Sequence, residues 1–249
     1  MHRLAIFDLD GTLAATADVD AACYLDAVRR QFGFVLDSDW SRYRHCTDEG
    51  IAREGVSTHL GRQPTDAELA ELKKSFVALL EARLREAPHL FLATRGATAL
   101  LARLAEDGWH VCIATGAWSA SAELKRRAAG LPETIPIFSS DLAEAREDII
   151  LHAIREMKLR HGVPSYRRIV SIGDGRWDVA AAARLELPFL AIARHPQAAR
   201  RRRAGAAAVV ADFGDIPRVI EALLSVSVPA SSGGEGVARH PRRAMKRTS

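Results

Sequence analysis

From residue 95 onward, the chain alternates between helix-like and strand-like patterns of apolar positions. Apolar residues recur at intervals of three and four in segments such as ATALLARLAEDG, as on one face of an α-helix. Each such segment is followed by a short apolar run such as WHVCIATG. This alternation is typical of βαβ units, in which helices cover both faces of a parallel sheet. The sequence predicts an α/β fold with a Rossmann-like three-layer core that includes the first strand, LAIFDLD.

Residues 15–92 interrupt this alternation, because strand-like segments disappear while helical periodicity continues. In the clearest helix, Thr65 and Glu68 fit a capping box, and apolar residues recur at helical spacing after them. We therefore predict a core of residues 1–14 and 93–225 with an inserted all-helical module.

The net charge of +4 is located in the C-terminal tail. Residues 226–249 contain five Lys or Arg residues and one Glu, and they are rich in Ser, Gly and Pro with few apolar residues to bury. This composition predicts a disordered basic tail, either a solubilising extension, which we favour, or a polyanion-binding arm. The four arginines of residues 200–203 spread around a predicted helix, which favours a solvated surface over a polyanion patch.

The composition also excludes several classes of protein. No apolar run reaches the roughly 18 residues that a membrane span needs. The three cysteines, Cys23, Cys46 and Cys112, are far apart and form no CxxC pair, so neither a disulfide framework nor a zinc knuckle is expected. We expect a cytoplasmic protein without membrane spans, for which nucleic acid is not the favoured partner.

Two carboxylates follow the first strand, in the sequence AIFDLDGTLA. Asp8 and Asp10 are two residues apart, so in an extended backbone both side chains point the same way. Gly11 allows a sharp turn just beyond them. Because two close carboxylates repel each other unless they share a cation or a proton, the pair suggests a metal ion beside one acid and a proton on the other.

A second acidic pair, Asp174 and Asp178, follows the apolar strand in IVSIGDGRWD. Alone, this pair is equally well explained by a loop with a helix N-cap. In open α/β sheets, however, ligands bind at the carboxyl ends of the strands, where both acidic pairs are expected to lie. Four carboxylates there predict a site for a hard cation such as Mg²⁺, which prefers oxygen ligands and often bridges to a phosphate.

Two further features suggest a phosphate site. Thr115 and Gly116 end another strand ahead of a predicted helix, where a hydroxyl and free N–H groups suit a phosphate oxygen. Arg146, at the start of a predicted helix, supplies the positive charge that a phosphate dianion needs in an acidic site. An ordinary strand-to-helix turn and a surface salt bridge are the alternatives.

Taken in order, DLDGT, ATG, a basic residue and GDGRWD resemble the four motifs of the haloacid dehalogenase-like hydrolase superfamily. The resemblance is to its phosphatase branch, which includes proteins similar to phosphoglycolate phosphatase and β-phosphoglucomutase, and it covers residues 1 to about 225. It implies that the module of residues 15–92 is the cap that this superfamily places between its first and second motifs.

The resemblance also implies a role for each matching residue. Asp8 is expected to be the nucleophile that forms an aspartyl-phosphate intermediate, with Asp10 as general acid and base. Thr115, Gly116 and Arg146 are expected to bind the phosphoryl group. The expected Mg²⁺ ligands are Asp8, Asp174, the main-chain carbonyl of Asp10, and Asp178 as a ligand or a support.

The chain departs from the family pattern in two places. The third motif is usually lysine, whereas the best-placed basic residue here is Arg146; Lys158 is the fallback, disfavoured because it lies near the end of its helix. Many relatives have an acid soon after DxDGT, where this chain has Ala14 and Ala15, a difference that bears on the hinge or the substrate.

Substrate choice is expected to depend on the cap. The segment of residues 43–51, YRHCTDEGI, is the most polar break between the predicted cap helices. Its residues Arg44, His45, Thr47 and Asp48 are therefore candidates for contact with the leaving group, and a plain interhelical loop is the alternative.

These observations predict the magnesium-dependent hydrolysis of a small phosphorylated metabolite through an aspartyl-phosphate intermediate. One alternative is a phosphomutase on the same fold, which would retain the phosphoryl group. The other is a non-catalytic module that binds RNA or a protein through the basic tail.

Overall fold

The core is a parallel sheet with helices on both faces. The computed structural model describes residues 2–193 and 197–230, except for the side chains of Ala199 and Arg203. The strands in these residues are β1 (Arg3–Phe7), β2 (Trp109–Ala114), β3 (Ile137–Phe138), β4 (Arg168–Gly173), β5 (Phe189–Ile192) and β6 (Ala208–Val210). Their order is β3-β2-β1-β4-β5-β6, and every neighbouring pair is parallel. The prediction of an α/β fold with a parallel sheet is confirmed.

Helices connect the strands and also form the insertion between β1 and β2. The insertion contains α1 (Ala17–Phe32), α2 (Asp48–Leu60) and α3 (Asp66–Glu86), with short 3₁₀ helices at Trp40–Arg42 and Pro88–Phe91. The helices of the core are α4 (Ala97–Glu106), α5 (Ser119–Ala128), α6 (Arg146–His161), α7 (Arg176–Arg184), α8 (Gln197–Arg203) and α9 (Ile216–Ser225). Among the described residues, no helix is long and apolar enough to span a bilayer.

β1 lies inside the sheet, and its alternating side chains reach both helical layers. Ala5 and Phe7 pack into the apolar cluster that includes residues of α4 and α9, whereas Leu4 and Ile6 pack against α6. All four side chains are almost completely buried. Because both faces of the strand are covered, its sequence is a continuous apolar run rather than an alternating one.

The insertion has an apolar cluster of its own. Buried residues of α1, α2 and α3 form it, and Trp118 and Leu124 from the core complete it. The predicted capping box at the start of α3 is present: the Glu68 N–H donates to Thr65 Oγ1, and Glu68 Oε2 accepts from the Thr65 N–H. The insertion is therefore a packed unit that rests on α5.

The two connections between core and insertion run side by side. Ala14 and Ala93 form an isolated antiparallel bridge. Beside it, the Ala15 N–H donates to the Leu92 carbonyl at 2.9 Å. These contacts lie next to the predicted limits of the insertion, residues 15 and 92.

The structure corrects the sequence analysis at two places. β3 is a two-residue edge strand that the apolar pattern did not indicate, because so short a strand has no periodicity to detect. Residues 226–230, predicted as part of the tail, contact the core: Val226 is buried, and the Phe189 N–H donates to the Ser227 carbonyl. The rest of the predicted tail, residues 231–249, lies outside the described residues.

Candidate active site

Asp8 directly follows β1 at the carboxyl edge of the sheet. Its N–H donates to the Ile172 carbonyl of β4 at 2.8 Å, so the backbone of Asp8 still belongs to the sheet. Beyond it, Gly11 takes a positive φ of 77°. A Cβ on this glycine would lie 2.6 Å from Asp174 Oδ2, so the turn brings the first acidic motif against the last one.

Three carboxylates from two distant segments of the chain meet here. Asp8, Asp174 and Asp178 each offer an oxygen within 4.8 Å of the others. The close approach again depends on glycine, because a Cβ on Gly173 would lie 2.5 Å from Asp178 Oδ2. The expectation that the two acidic pairs lie near each other at one edge of the sheet therefore holds for these three residues.

Burial makes this cluster electrostatically unfavourable when it is fully ionised. Burial, and then the neighbouring Asp178, raise the pKa of Asp8 well above its ordinary value, although Arg146 lowers it. Burial also raises the pKa of Asp174 to about 7, with a further contribution from Asp178. The pKa of Asp178 is raised by burial too, against the opposite effect of Arg146. Ionised carboxyls in this cluster need positive charge from elsewhere.

Arg146 is the first residue of α6 and lies between two of these carboxylates. Its Nη1 is 3.0 Å from Asp8 Oδ1 and 2.8 Å from Asp178 Oδ1. Its Nε is buried, and no hydrogen-bond partner for it is found among the described residues. A Cβ on Gly116 would lie 2.6 Å from Arg146 Nη2, so the guanidinium packs against the backbone of the second motif.

Thr115 and Gly116 follow β2 and lie in the same cavity. Thr115 is almost completely buried, and its Oγ1 accepts from the Ala117 N–H at 3.1 Å. The structure thus brings Thr115, Gly116 and Arg146 together beside Asp8. Lys158, the fallback for the third motif, lies 12 residues farther along α6, at roughly 1.5 Å per residue, and is far from this edge of the sheet.

Asp10 is held by two side chains that come from different helical regions. Thr16 Oγ1 donates to Asp10 Oδ1 at 2.5 Å, and Lys125 Nζ lies 2.6 Å from Asp10 Oδ2. Lys125 is fully buried and also pairs with Asp20 Oδ1 at 2.5 Å. Burial raises the pKa of Asp20 to about 6, although Lys125 lowers it.

Lys125 is not among the site residues predicted from the sequence. It lies on the buried face of α5, three residues after the buried Ala122 and seven after the buried Trp118. A lysine within an apolar helical stripe is a detectable signal, because a fully buried lysine needs a charged partner. The sequence does not show which residues are its partners.

The four candidate residues of the insertion are divided between two cavities. Thr47 and Asp48 line the cavity that holds Asp8, whereas Arg44 and His45 line a neighbouring one. The two cavities share Cys46 and Arg146, and contact of Arg44 and His45 with the leaving group stays a prediction. The Arg44 N–H donates to Glu54 Oε2 at 2.8 Å, which holds this part of the loop against α2.

The first cavity has a volume of about 140 Å³ and lies between the core and the insertion. Core residues of the motifs form one side, and residues of α1, α2 and the intervening loop form the other. The lining residues from the insertion are Ala17, Asp20, Ala21, Tyr24, Trp40, Cys46, Thr47, Asp48 and Ile51.

The second cavity, of about 750 Å³, has a mainly basic wall. It shares Trp40, Cys46, Arg146 and Trp177 with the first cavity. Four further arginines line it: Arg44, Arg176, Arg184 and Arg200. Arg184 forms an ion pair with Glu147, also in the wall.

The residues around Asp8 fit a magnesium ion. Three ionised carboxylates with one arginine leave a charge of about −2, which a divalent cation would balance. Carboxylate oxygens are the ligands that Mg²⁺ prefers. Among the described residues the carboxylate of Asp10 is not part of this cluster, so the expected ligand atom of Asp10 remains its main-chain carbonyl.

Solved structures with the same fold include three from different bacteria. A hydrolase from Pseudomonas syringae matches at a TM-score of 0.68 with 24% identity, over 87% of this chain and 97% of that one. CbbY from Rhodobacter sphaeroides, solved with phosphate, matches at 0.62 with 22% identity, over 87% and 96%. A predicted phosphoglycolate phosphatase from Haemophilus somnus 129pt matches at 0.60 with 14% identity, over 88% and 98%.

The sequence itself also identifies the family. No protein of curated function matches the chain. The family model of haloacid dehalogenase-like hydrolases, however, matches residues 2–186, which include the four motifs. The resemblance noted from those motifs is thus confirmed, and the chain belongs to the haloacid dehalogenase-like hydrolase family.

Proposed function

We propose that this chain is a magnesium-dependent phosphatase that hydrolyses a small phosphomonoester through an aspartyl-phosphate intermediate. The observation that carries the proposal is the arrangement around Asp8: the carboxylate lies 3.0 Å from the Arg146 guanidinium, in the same cavity as Asp10. The proposed nucleophile Asp8, the phosphate-binding cation Arg146 and the separate acid Asp10 thus line the same cavity.

Two steps complete the reaction. In the first, a carboxylate oxygen of Asp8 forms a bond to phosphorus as the bond to the alcohol oxygen breaks, and Asp10 gives its proton to that oxygen. In the second, water attacks phosphorus and gives a proton to Asp10, while the bond between phosphorus and the Asp8 oxygen breaks. Inorganic phosphate leaves, and both aspartates return to their initial states.

Arg146 and Thr115 contribute by binding the phosphoryl oxygens. Arg146 carries a permanent charge, and it lines the cavity that holds Asp8. The Thr115 hydroxyl lies in the same cavity wall. Fixed donors of this kind stabilise the charge that spreads over the phosphoryl oxygens in the transition state.

Asp8, Asp174 and Asp178, with the main-chain carbonyl of Asp10, would hold the magnesium ion. When bound, the ion neutralises charge on the phosphoryl group and acts as a Lewis acid. The glycines next to these acids are part of the same arrangement, because a side chain at Gly11 or Gly173 would collide with a carboxylate.

The insertion acts as a cap in this proposal. Thr47 Oγ1 donates to the Glu144 carbonyl at 2.7 Å, and the Asp48 N–H donates to the Gly116 carbonyl at 2.8 Å. These two contacts join the start of α2 to the core directly above the phosphoryl site. Breaking these contacts would open the cap, and we expect cap opening to be a step of the cycle.

The test compares phosphate release from p-nitrophenyl phosphate by the wild type, Asp8→Asn and Asp18→Asn, each with Mg²⁺ and with EDTA. Asp18 is an exposed acid near the start of α1 and serves as the matched control. We expect turnover only with Mg²⁺ and only in the wild type and Asp18→Asn. Equal rates for all three proteins, or no difference between Mg²⁺ and EDTA, would contradict the proposal.

A further inference from the structure

The first cavity has room for a phosphoryl group and little more. Its volume of about 140 Å³ is well below the roughly 300–1,000 Å³ of pockets that take drug-sized molecules. The second cavity, of about 750 Å³, adjoins it, and four residues line both: Trp40, Cys46, Arg146 and Trp177. A leaving group of more than a few heavy atoms therefore extends from a phosphoryl group at Asp8 into the second cavity.

The wall of the second cavity is positively charged, because five arginines and one glutamate line it. Arg146 pairs with Asp8 and Asp178, and Arg184 pairs with Glu147. Within residues 2–193 and 197–230, the side chains of the other three arginines form no ion pair: Arg44, Arg176 and Arg200. An anion in the cavity would balance their charges, and guanidinium groups bind phosphate and carboxylate oxygens through paired N–H donors.

One face of α7 gives this wall its shape. The residues of α7 that line the cavity recur at helical spacing: Arg176, Val179, Ala180, Ala183 and Arg184. They therefore share one side of the helix, with an arginine at each end and two alanines between. Because alanine side chains are short, the middle of this face leaves room for a ligand between the two guanidinium groups.

The other two arginines without an ion pair come from distant segments. Arg44 lies in the loop before α2, and Arg200 lies in α8. Arg200 belongs to the run of residues 200–203 that the sequence assigns to a solvated surface; it is exposed, but it also lines the cavity. Three segments thus bring their positive charges to one concave surface, an arrangement that a basic run in the sequence does not by itself create.

Aromatic rings lie where the two cavities meet. Trp40 and Trp177 line both cavities, and Tyr43 lines the second one. The ring centroids of Trp40 and Tyr43 are 6.0 Å apart, and all three rings are half-buried. Apolar faces at this position suit the carbon skeleton of a leaving group, while its far end reaches the arginines.

We infer that the leaving group of the substrate carries a second anionic group, a phosphate or a carboxylate, which binds to Arg44, Arg176 and Arg200 in the second cavity. This inference rests on the proposed phosphatase function. It adds the charge and the extended shape of the leaving group, which the phosphoryl site does not determine.

The test uses pairs of substrates that differ in one negative charge of the leaving group. For a carboxylate, 4-carboxyphenyl phosphate is compared with 4-carbamoylphenyl phosphate; for a phosphate, the bisphosphate of butane-1,4-diol is compared with 4-hydroxybutyl phosphate. We expect kcat/KM to be at least about tenfold higher for the more anionic member of at least one pair, and that pair identifies the anion. A ratio below tenfold in both pairs would overturn the inference.

Two variants test the residues in the pair with the higher ratio. Arg44→Gln and Arg200→Gln each remove one guanidinium group, and each should lower the anionic-to-neutral ratio of kcat/KM about threefold, as the loss of an exposed ion pair would. Arg42→Gln and Arg202→Gln are the matched controls, because both arginines are exposed two residues away and neither lines the cavity. A ratio unchanged in both test variants, or lowered equally in the controls, would contradict the assignment.

Failure of this inference can be distinguished from failure of the proposed function. Turnover of p-nitrophenyl phosphate that depends on Asp8 supports the phosphatase whatever the ratio of the paired substrates. A preparation that turns over the aryl phosphate but treats both members of each pair alike retains the function and refutes the substrate class.

Discussion

Lys125 and Asp10 form a partly buried ion pair with 2.6 Å between Nζ and Oδ2, although 115 residues separate them in the chain. Thr16 Oγ1 holds the other carboxylate oxygen of Asp10. Both oxygens of the proposed general acid are therefore bound, one from the first turn of the insertion and one from α5. The orientation of Asp10 depends on how α5 and α1 pack together.

Replacing Lys125 with methionine should affect both stability and turnover. The change leaves Asp10 and Asp20 as neighbouring, partly buried carboxylates without their cation. Removing one partner of a fully buried ion pair costs about 3–5 kcal/mol, and we expect a smaller loss here because both carboxylates are partly exposed. The substitution also frees one oxygen of Asp10, so kcat should fall more than KM changes. Urea unfolding and steady-state kinetics measure the two effects.

Arg127→Met is the control for this prediction, because Arg127 is exposed on the same helix. Adding Asp20→Asn to Lys125→Met should recover part of the lost stability, since one of the two uncompensated charges disappears. An Arg127→Met protein that is as unstable as Lys125→Met would show that this ion pair is not the cause.

Removing the charge of Arg146 should slow the reaction, while the protein should still fold. Arg146→Met leaves Asp8 and Asp178 without the guanidinium that lies between them, and it removes a donor for the phosphoryl oxygens. We expect kcat to fall by about 10²–10³, the usual loss for one donor to a developing oxyanion. Arg146→Lys should retain more activity because it keeps a charge near both carboxylates.

Arg155→Met provides the comparison, since Arg155 is exposed on the same helix as Arg146. Its kcat should equal that of the wild type. Comparable losses in Arg155→Met and Arg146→Met, with p-nitrophenyl phosphate as substrate, would contradict a direct role for Arg146.

Two glycines with the same backbone conformation should respond differently to substitution. Gly11 has a φ of 77° and Gly33 a φ of 78°. Alanine at either position adopts a left-handed conformation at a cost of about 1–2 kcal/mol. Only at Gly11 does the new Cβ meet another group, Asp174 Oδ2 at 2.6 Å, whereas nothing lies within 4 Å at Gly33.

We therefore expect Gly11→Ala to lose magnesium binding and Gly33→Ala to keep it. The increase in melting temperature on adding Mg²⁺ measures this binding without any turnover. A similar increase in both variants would show that the contact between Gly11 and Asp174 is not required for the metal site.

The stability of the metal-free protein should fall as the pH rises. Burial raises the pKa of Asp174 from an ordinary 3.8 to about 7, so between these values the folded state binds more protons than the unfolded state. The free energy of unfolding then decreases with pH across this window and levels off above it. Urea unfolding in EDTA from pH 5 to pH 8 measures the slope.

Mg²⁺ should reduce this slope, because the cation stabilises the ionised carboxylates. Asp174→Asn should also flatten it in EDTA, since the variant has no carboxyl to titrate at that position. Equal pH slopes for the wild type and Asp174→Asn in EDTA, between pH 5 and pH 7, would contradict the electrostatic description of this cluster.

Several parts of the site were predictable because they depend on local pattern. Asp8 and Asp174 follow apolar runs that become β1 and β4, and neighbouring parallel strands end at one edge of the sheet. The order of strands and helices along the chain could also be predicted, because each element buries its own apolar face and so has its own apolar periodicity. Arg146 was placed at the start of a helix whose N-terminus reaches that edge.

Other parts depended on packing between distant segments. The contacts of Lys125 require α5 to lie against α1, and the separation of Asp48 from Arg44 depends on a loop bound to α2. The packing of residues 226–230 beside β5 and the pairing of the short β3 are also contacts with other segments rather than features of their own sequence.

The sequence by itself therefore determined the class of fold, the order of the elements and the acids that lie at the strand ends. Those properties follow from the periodicity of apolar side chains and from the geometry of a parallel sheet. Only the tertiary structure decided which charges meet in the cavity and which face of the insertion covers it. Such contacts arise from the relative positions of helices and loops that are far apart in the chain, and no local pattern encodes those positions.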